Sequence, residues 1–338
     1  MTNRIEWLDE PGSGPLAGLR VLDLSQQLPG PYSTALLASL GADVIKVEAP
    51  AGDPARDFDP EMFRRANAGK RSIRLDLKRR DDRDILLSLV ERAHAFVEGF
   101  RPGVTERLGC DYDTVKAVNP AVVYCSISGF GQHGPLADRP THDISLQAVA
   151  GALPAGARID RIGVPWVDLA TGTTAAFLIV SVCRGGAGGF IDLAMIDAAV
   201  AWANIKPQAV RELEPSYGTF ATADDDVVVV ALLEDAMWHR LCVALSWQDW
   251  QADPGLARYR DRRRSAPRIR ARLENSLAAL THAEITELAG SHDLPIESVG
   301  ADDPSARQQL LERQAGRGER ATWLPLPVDW QQETDELR

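Results

Sequence analysis

Three side chains in the middle of this 338-residue chain are of types that carry acid–base chemistry: His142, Asp143 and Asp168. His142 and Asp143 directly precede an apolar run with helical spacing, at 144–149. A helix N-terminus favours the neutral imidazole and stabilises an anion, so this position would favour a neutral His142 and an ionised Asp143. Asp168 follows an extended apolar stretch and precedes a long apolar helix, where a plain helix N-cap would also explain it. Taken one at a time, these residues leave structural and catalytic roles open.

A cluster of positive charge precedes them in the chain. Lys70, Arg71, Arg74 and Lys78 surround the entry to a single strand. Such a cluster at the mouth of a cleft could neutralise the phosphate groups of a nucleotide. It could equally be a solvated strand edge that uses charge to prevent aggregation. From charge alone the second interpretation is favoured.

Other conspicuous segments predict no chemistry. Eight arginines between 258 and 272 are interpreted as a solvated linker and helix face, because the protein as a whole is acidic. The glycines at 12–14 precede the first strand and those at 185–189 fit a tight turn, so neither predicts a dinucleotide fingerprint. The four cysteines lack the paired spacing of metal sites, and we expect no metal, with Cys125 and Cys183 packed in the core.

The elements that must position these residues follow an alternating pattern. Short apolar runs alternate with helical patterns over the first two hundred residues, which predicts βαβ units and a doubly wound parallel sheet. The predicted strands are Leu19–Leu24, Ala42–Val47, Ser72–Leu77, Ala95–Glu98, Val122–Ile127 and Gly189–Ala194. The predicted helices between them are Pro31–Leu40 and Asp81–Ala93.

The pattern changes after residue 205. Runs at 218–223 and 227–232, separated by three aspartates, predict a β-hairpin, and helical stretches follow at 235–245, 269–280 and 283–289. Thr281 is a candidate cap for the last of these helices. We therefore predict a large α/β domain over 1–205 and a smaller α/β domain over 215–300.

Composition limits the class of partner. The formal net charge is −11, and 45% of the residues are hydrophobic. We do not expect nucleic acid as a partner, because phosphate binding needs a positive surface. The first residues have no apolar core of a signal peptide, and no uninterrupted run reaches the length of a membrane span. We expect a cytoplasmic protein with neither nucleic acid nor membrane as partner.

Two segments together resemble a known family. GKRSIRLDLK at 69–78 and EGFRPGVTERLG at 98–109, in that order, are similar to the nucleotide-binding region of the family III CoA-transferases. THDI at 141–144 is similar to the GHDIN motif of that family's α-methylacyl-CoA racemase branch, with Thr141 in place of the glycine. The resemblance implies an acyl-coenzyme A substrate, with coenzyme A as part of that substrate and no permanently bound cofactor.

The resemblance also implies roles for individual residues. Those expected along the adenosine and pyrophosphate path are Leu28, Pro29, Leu75, Lys78, Gly99, Phe100, Arg101 and Arg107. Asp168 corresponds to the reactive aspartate of both branches, His142 to the racemase base, and Glu234 to a glutamate that partners that base. The family further implies that residues 300–338 return to the large domain and that two ring-shaped subunits interlock as a homodimer.

Two reactions are compatible with this site. Racemisation of a 2-methylacyl-CoA needs two bases on opposite sides of Cα, which His142, polarised by Glu234, and Asp168 would supply. CoA transfer needs only Asp168, whose carboxylate forms a mixed anhydride and then an aspartyl-CoA thioester. We select racemisation as the main prediction, with CoA transfer as the alternative, and an inactive CoA-binding relative as a further alternative.

The departures from the family affect this choice. GVPWVDLATG at 163–172 is closer to the transferase form than to the glycine-rich racemase form, and the glycine-rich loop of well-studied transferases is not visible. The segments before Gly163 and between Ala209 and Gly218 are short. These differences make the acyl pocket the least predictable part of the site.

Overall fold

The computed structural model describes residues 5–9, 12–153, 163–205 and 214–299, together with the single positions 308, 309 and 312. The chain divides into two compact units, 1–208 with 317–338, and 209–316. The predicted return of 300–338 to the large domain falls almost wholly outside the described residues and stays a prediction.

The first unit is built on a parallel sheet of six strands. They are β1 Arg20–Asp23, β2 Asp43–Glu48, β3 Arg71–Arg74, β4 Ala95–Glu98, β5 Val123–Ser128 and β6 Gly189–Ala194. The spatial order is β3-β2-β1-β4-β5-β6, and every neighbouring pair is parallel. The predicted doubly wound α/β class is thereby confirmed. The order reverses between β1 and β4, which is where open α/β sheets bind their ligands.

Helices connect these strands and cover both faces of the sheet. They are α1 Pro29–Ser39, α2 Ala55–Phe58, α3 Pro60–Ala66, α4 Arg80–Val90, α5 Val104–Leu108, α6 Tyr112–Val118, α7 Asp143–Val149, α8 Trp166–Gly185 and α9 Met195–Ile205. Alternate strand residues point to opposite faces, so Val97 and Cys125 belong to the core under α1 and α8, whereas Phe96 and Tyr124 belong to the core under α4 and α6. Cys125 is fully buried as predicted, whereas Cys183 is only partly buried against the first core.

Strand β3 is shorter than predicted. Leu75 still donates its N–H to the carbonyl of Glu48, at 2.8 Å, but the chain then turns away from the sheet. The side chain of Asp82 accepts the N–H of Asp76, and the side chain of Asp76 accepts that of Lys78. These side-chain bonds replace the ladder, so residues 75–78 form a turn at the carboxyl edge.

Helix α8 is the one described helix that is long and apolar enough to cross a membrane by length and composition. It lies against α1, and Gly172 permits the close approach, because a Cβ there would be 2.7 Å from the carbonyl oxygen of Pro29. Val167, Ala175 and Ile179 are fully buried in the core of the first unit. These features are those of a core helix, and the packing at Gly172 holds the first turn of α8 beside the start of α1.

The second unit has its own sheet and core. Strands β7 Tyr217–Ala221, β8 Val227–Ala231 and β9 Ile296–Ser298 form an antiparallel sheet in that order. Its helices are α10 Asp235–Ala244, α11 Gln248–Gln251, α12 Tyr259–Arg264, α13 Ala266–Leu277 and α14 His282–His292, with a 3₁₀ turn at Pro254–Leu256. The hairpin is therefore present, and Thr281 caps α14 through a capping box with Glu284. The short strand β9, the short helices α11 and α12 and the 3₁₀ turn were not predicted.

The arginine-rich segment at 258–272 differs from its prediction as a solvated face. Arg262 is fully buried, pairs with Asp235 at 2.9 Å and donates to backbone carbonyls, including that of Leu256. Arg272 makes a two-pronged pair with Asp249 and lies over the ring of Trp250. Several of these cations thus hold the second unit together, because guanidinium groups stack on tryptophans that are distant in sequence.

Candidate active site

A cavity of about 280 Å³ opens at the switch point of the sheet. The loops after β1, β4 and β5 and the start of α1 contribute to its wall. The lining residues are Gln26, Gln27, Pro29, Gly30, Gly99, Phe100, Arg101, Pro102, Ile127, Ser128, Gly129, Ala137, Arg139, Pro140, Thr141, His142, Asp168 and Met195. Five residues predicted for the site, Pro29, Gly99, Phe100, Arg101 and His142, therefore share one cavity with Asp168.

Asp168 is the third residue of α8, and Pro165 occupies the N-cap position. It is therefore not a simple helix cap. Burial, reinforced by the negative charge of Asp143, raises the pKa of Asp168 to about 7. A position in the first helical turn would by itself favour the ionised form, so burial and the neighbouring carboxylate outweigh the helix dipole here. The result is a carboxylate more basic than an ordinary aspartate.

Asp143 holds the start of the Asp168 helix. Its Oδ1 accepts the backbone N–H groups of Val167, at 2.8 Å, and Asp168, at 3.1 Å. Its Oδ2 accepts the side-chain amide of Gln147 at 2.5 Å. The two bonds to Oδ1 satisfy N–H groups in the first turn of α8, which have no partner within that helix. Asp143 therefore fixes the position of Asp168 and also raises its pKa.

Replacing Asp143 by asparagine is expected to shift the acidic limb of the pH profile of kcat/KM to lower pH, by roughly one unit. Asparagine keeps an oxygen that accepts the two N–H groups but removes the charge that raises the pKa of Asp168. The measurement is kcat/KM between pH 5 and 9. Asp138→Asn, which removes an exposed carboxylate of the same loop, is the control and should leave the limb in place. An unmoved limb in the Asp143 variant would show that its charge has no influence.

His142 occupies the N-cap position of α7, as predicted. Its side chain is exposed, and it contributes to the same wall of the cavity as Pro140 and Thr141. The structure thus brings His142 and Asp168 to one cavity. Glu234 occupies the N-cap position of α10 in the second unit, and its predicted partnership with His142 stays a prediction.

A second cleft of about 340 Å³ also borders the loop that follows β1. Leu75 and Lys78 line it, as expected for the nucleotide path, and Gln26 and Phe100 line both this cleft and the first cavity. Its remaining lining residues are Leu24, Val47, Glu48, Ala49, Pro50, Ala51, Asp76, Leu77 and Leu108. A mostly apolar cleft with one lysine at its edge suits a base or sugar with an adjoining phosphate.

Two residues predicted for the nucleotide path lie elsewhere. Leu28 is buried at the N-cap position of α1, and Arg107 is an exposed residue of α5. Neither contributes to the wall of these two cavities. Their assignment stays a prediction, without support from the geometry of the described residues.

Two of the clustered cations are already paired with carboxylates of the protein. Lys70 Nζ lies 2.9 Å from Asp23 Oδ2 and also donates to the carbonyl of Pro31 at 2.7 Å. Arg71 pairs with Asp43 at 2.7 Å. Burial alone would raise the pKa of Asp23, but the charges of Lys70 and Lys46 outweigh it and hold the pKa well below its usual range. Lys70 is therefore neither a solvated strand-edge charge nor a free phosphate ligand, and the guanidinium of Arg71 is already paired with a carboxylate.

A further buried lysine holds the loop after β1. Lys46 Nζ pairs with Asp53 at 3.0 Å and donates to the carbonyl of Ser25 at 2.9 Å. Asp53 in turn accepts the N–H of Gln27, which has a left-handed backbone with φ of 63°. Sequence reasoning missed this arrangement, although a lysine within the apolar strand DVIKVE was a usable signal, since a buried charge requires a partner.

Comparison with known proteins identifies the family of the chain. The model of CoA-transferase family III matches residues 16–316. The chain belongs to CoA-transferase family III. The acetyl-CoA:oxalate CoA-transferase of Acetobacter aceti is 32% identical over 334 residues, covering 88% of this chain and 86% of that protein. The succinyl-CoA:mesaconate CoA-transferase of Haloarcula hispanica is 37% identical over 276 residues, covering 71% and 69%.

Solved structures of family III relatives agree with the fold. A crystal structure of a hypothetical protein from Mycobacterium tuberculosis superposes with a TM-score of 0.77 at 31% identity, covering 89% of this chain and 87% of that one. A CaiB/BaiF family protein from Brucella suis gives a TM-score of 0.74 at 28% identity, covering 89% and 88%. The predicted family and enzyme class are confirmed. The names of the sequence relatives are those of transferases, which favours the alternative reaction over racemisation.

Proposed function

We propose that this protein transfers coenzyme A from a CoA thioester to a second carboxylic acid, with Asp168 as the nucleophile. The observation that carries the proposal is the position of Asp168 in a cavity at the switch point, next to a cleft suited to a nucleotide. The transferase form of the segment around Asp168 and the names of the relatives support it. CoA is part of the substrate and leaves with the product.

The chemistry requires four acyl exchanges. The Asp168 carboxylate attacks the thioester carbonyl, and the C–S bond breaks to give a mixed anhydride and the CoA thiolate. The thiolate then attacks the aspartyl carbonyl and expels the first carboxylate, leaving CoA on Asp168 as a thioester. A second carboxylate attacks that thioester, forms a new anhydride and releases the thiolate. Attack of the thiolate on the new acyl carbonyl yields the product and regenerates Asp168.

The groups around Asp168 suit these steps. A pKa near 7 makes its carboxylate a better nucleophile than an ordinary aspartate, because nucleophilicity rises with basicity. Arg101 and Arg139 line the same cavity and add positive charge where carboxylates must enter and leave. Gln26 and Phe100, which border both cavities, lie where the pantetheine arm would pass.

Racemisation is the second candidate, because His142 and Asp168 line one cavity and could address two faces of Cα. In that reaction one residue removes the α-proton of a 2-methylacyl-CoA and the other returns a proton to the opposite face. The thioester carbonyl carries the enolate charge in between. In this reaction Glu234 would polarise His142. A third interpretation is that the protein is an inactive relative that binds CoA without turning it over.

Replacing His142 by alanine is expected to leave CoA transfer within about tenfold of the unchanged protein, because transfer needs no histidine base. The assay combines acetyl-CoA or succinyl-CoA with oxalate, mesaconate or glutarate and follows the new thioester by mass. Hydroxylamine trapping should place the intermediate on Asp168.

A parallel incubation with one enantiomer of a 2-methylacyl-CoA in heavy water tests the second candidate. If the unchanged protein incorporates deuterium at Cα, the His142→Ala variant does not, and no CoA is transferred, then racemisation replaces CoA transfer as the function. CoA binding with neither reaction would identify the inactive relative.

The proposed function also includes a quaternary structure and a cellular location. Helices α8 and α9 leave Phe177, Trp202 and Ile205 exposed by 70%, 53% and 87%. Exposed apolar side chains of this size are typical of surfaces that pack against another chain. We infer the intertwined homodimer that the family resemblance implies and the cytoplasmic setting that is expected from the sequence.

A further inference from the structure

We propose that Lys46 and Asp53 hold Gln27 in a strained left-handed backbone conformation, and that this conformation positions the CoA thioester for attack by Asp168. The inference rests on the proposed function and deepens it, because it adds three positioning residues to the site. These residues act through the shape of the cavity wall, and none of them takes part in the covalent steps.

The backbone of Gln27 is unusual for its place in the fold. Four of the described residues other than glycine have a positive φ, and that of Gln27 is 63°. The other three lie in a hairpin turn or where a helix ends, and they are Asp225 between β7 and β8, Ser246 after α10 and Asp293 at the end of α14. Gln27 instead lies before the start of α1, where neither reason applies. A left-handed conformation is strained for glutamine, so it persists only where the surroundings enforce it.

A buried ion pair accounts for this conformation. The Nζ of Lys46 and the Oδ2 of Asp53 lie 3.0 Å apart, and both side chains are at most 2% exposed. The Oδ1 of Asp53 accepts the N–H of Gln27 at 3.2 Å, while Lys46 donates to the carbonyl of Ser25 at 2.9 Å. Both ends of the segment 25–27 are therefore attached to one ion pair. Separating two buried ions is costly, so the pair keeps the segment in place.

The segment held in this way contributes to the walls of both cavities. Gln27 lines the cavity that contains Asp168, and Gln26 lines that cavity and also the cleft suited to the nucleotide. Both glutamines are only partly buried, so a ligand can contact them. If the φ of Gln27 relaxed to a negative value, the peptide unit before it would turn and the wall would move. Because a displacement of about 1 Å can lower a rate by roughly 100-fold, this wall is suited to set the distance between the thioester and Asp168.

Replacements of Gln27 separate the effect of its backbone from that of its side chain. Glycine and asparagine adopt the left-handed conformation readily, whereas a β-branched valine does not. Gln27→Gly and Gln27→Asn should therefore keep kcat for CoA transfer within about fivefold of the unchanged protein, and Gln27→Val should lower it by roughly 10-fold to 100-fold. KM for the CoA thioester should stay within about threefold in all three variants, because the cleft lined by Leu75 and Lys78 is not altered.

Ser246→Val is the matched control for strain. Ser246 also has a left-handed backbone, with φ of 55°, but it is exposed and belongs to the second unit. The unfolding midpoint should fall in both Ser246→Val and Gln27→Val, whereas kcat should fall only in Gln27→Val. If Ser246→Val were equally slow, strain alone would lower the rate and the assignment to Gln27 would be wrong.

The ion pair is tested by Asp53→Ala, alone and together with Gln27→Gly. Asp53→Ala should lower kcat about as far as Gln27→Val does, because Gln27 loses the acceptor of its N–H. The double variant should recover at least about fivefold in kcat, since glycine adopts the left-handed conformation without a partner. Lys46 is unpaired in both variants, so a loss caused by instability alone would not be recovered.

Two results would overturn the inference while the unchanged protein is active. They are equal kcat values in the valine and glycine variants of Gln27, and no recovery in the double variant. An unchanged protein that transfers no CoA would overturn the proposed function, and this inference with it. The two failures are distinct, because the first is seen only in a protein that transfers CoA.

Discussion

Replacing Asp168 by alanine is expected to abolish CoA transfer, with kcat reduced by at least about a thousandfold, because the nucleophile itself is removed. Asp168→Asn should have the same effect while keeping the shape of the side chain. CoA binding should persist in both variants, since the cleft lined by Leu75, Lys78 and Phe100 is not altered. Steady-state transfer, hydroxylamine trapping and CoA titration measure these three properties.

The asparagine variant should also be more stable than the unchanged protein in alkaline solution. The pKa of Asp168 is raised in the folded state, so its ionisation costs stability increasingly as the pH rises from about 4 to about 7. Above pH 7 the gain from a neutral side chain should be on the order of 4 kcal/mol, because the pKa of Asp168 rises from 3.8 to about 7, and below pH 4 the gain should vanish. Denaturant unfolding at pH 4 and pH 8 would show this difference.

Asp197 offers a matched control for both measurements. It occupies the equivalent third position of α9 but is exposed. Asp197→Asn should change neither transfer nor the pH dependence of stability by an appreciable amount. Transfer within tenfold of normal in Asp168→Ala would contradict the assignment of the nucleophile.

Replacing Lys70 by methionine should lower the free energy of unfolding by about 3–5 kcal/mol, because it leaves the buried carboxylate of Asp23 without its partner. Both side chains are at most 1% exposed, and the ion pair is 2.9 Å long. Lys70 also holds the carbonyl of Pro31 in the first turn of α1, so the start of that helix, which lines the first cavity, should loosen and CoA binding should weaken. Denaturant unfolding and CoA titration measure the two effects.

A double variant tests the cause. Lys70→Met with Asp23→Asn removes both charges and should recover much of the lost stability, since no unpaired ion remains buried. The exposed pair Arg80 and Asp84 is the comparison, and Arg80→Met should change stability by less than about 0.5 kcal/mol. A loss in Lys70→Met no larger than that of Arg80→Met would contradict the structural role of the buried pair.

Predictions from the sequence agree best with the structure where the signal lies within a single strand or helix. Strand β4 was predicted with its observed limits, and α7 begins at Asp143 as expected. Apolar periodicity and helix-start signals are local, so they can be seen in the sequence. The limits of β3 were wrong because side-chain hydrogen bonds from Asp76 and Asp82 compete with the strand ladder there.

The sequence by itself determined the α/β class, the family and the segment that contains Asp168, since these depend on alternating apolar runs and on contiguous motifs. Only the tertiary structure decided which cations remain available to a ligand. Lys70 and Arg71 look like Lys78 in the sequence, but they pair with Asp23 and Asp43, which lie far away along the chain. Burial and pairing are properties of the folded neighbourhood, and residue type and spacing do not contain them.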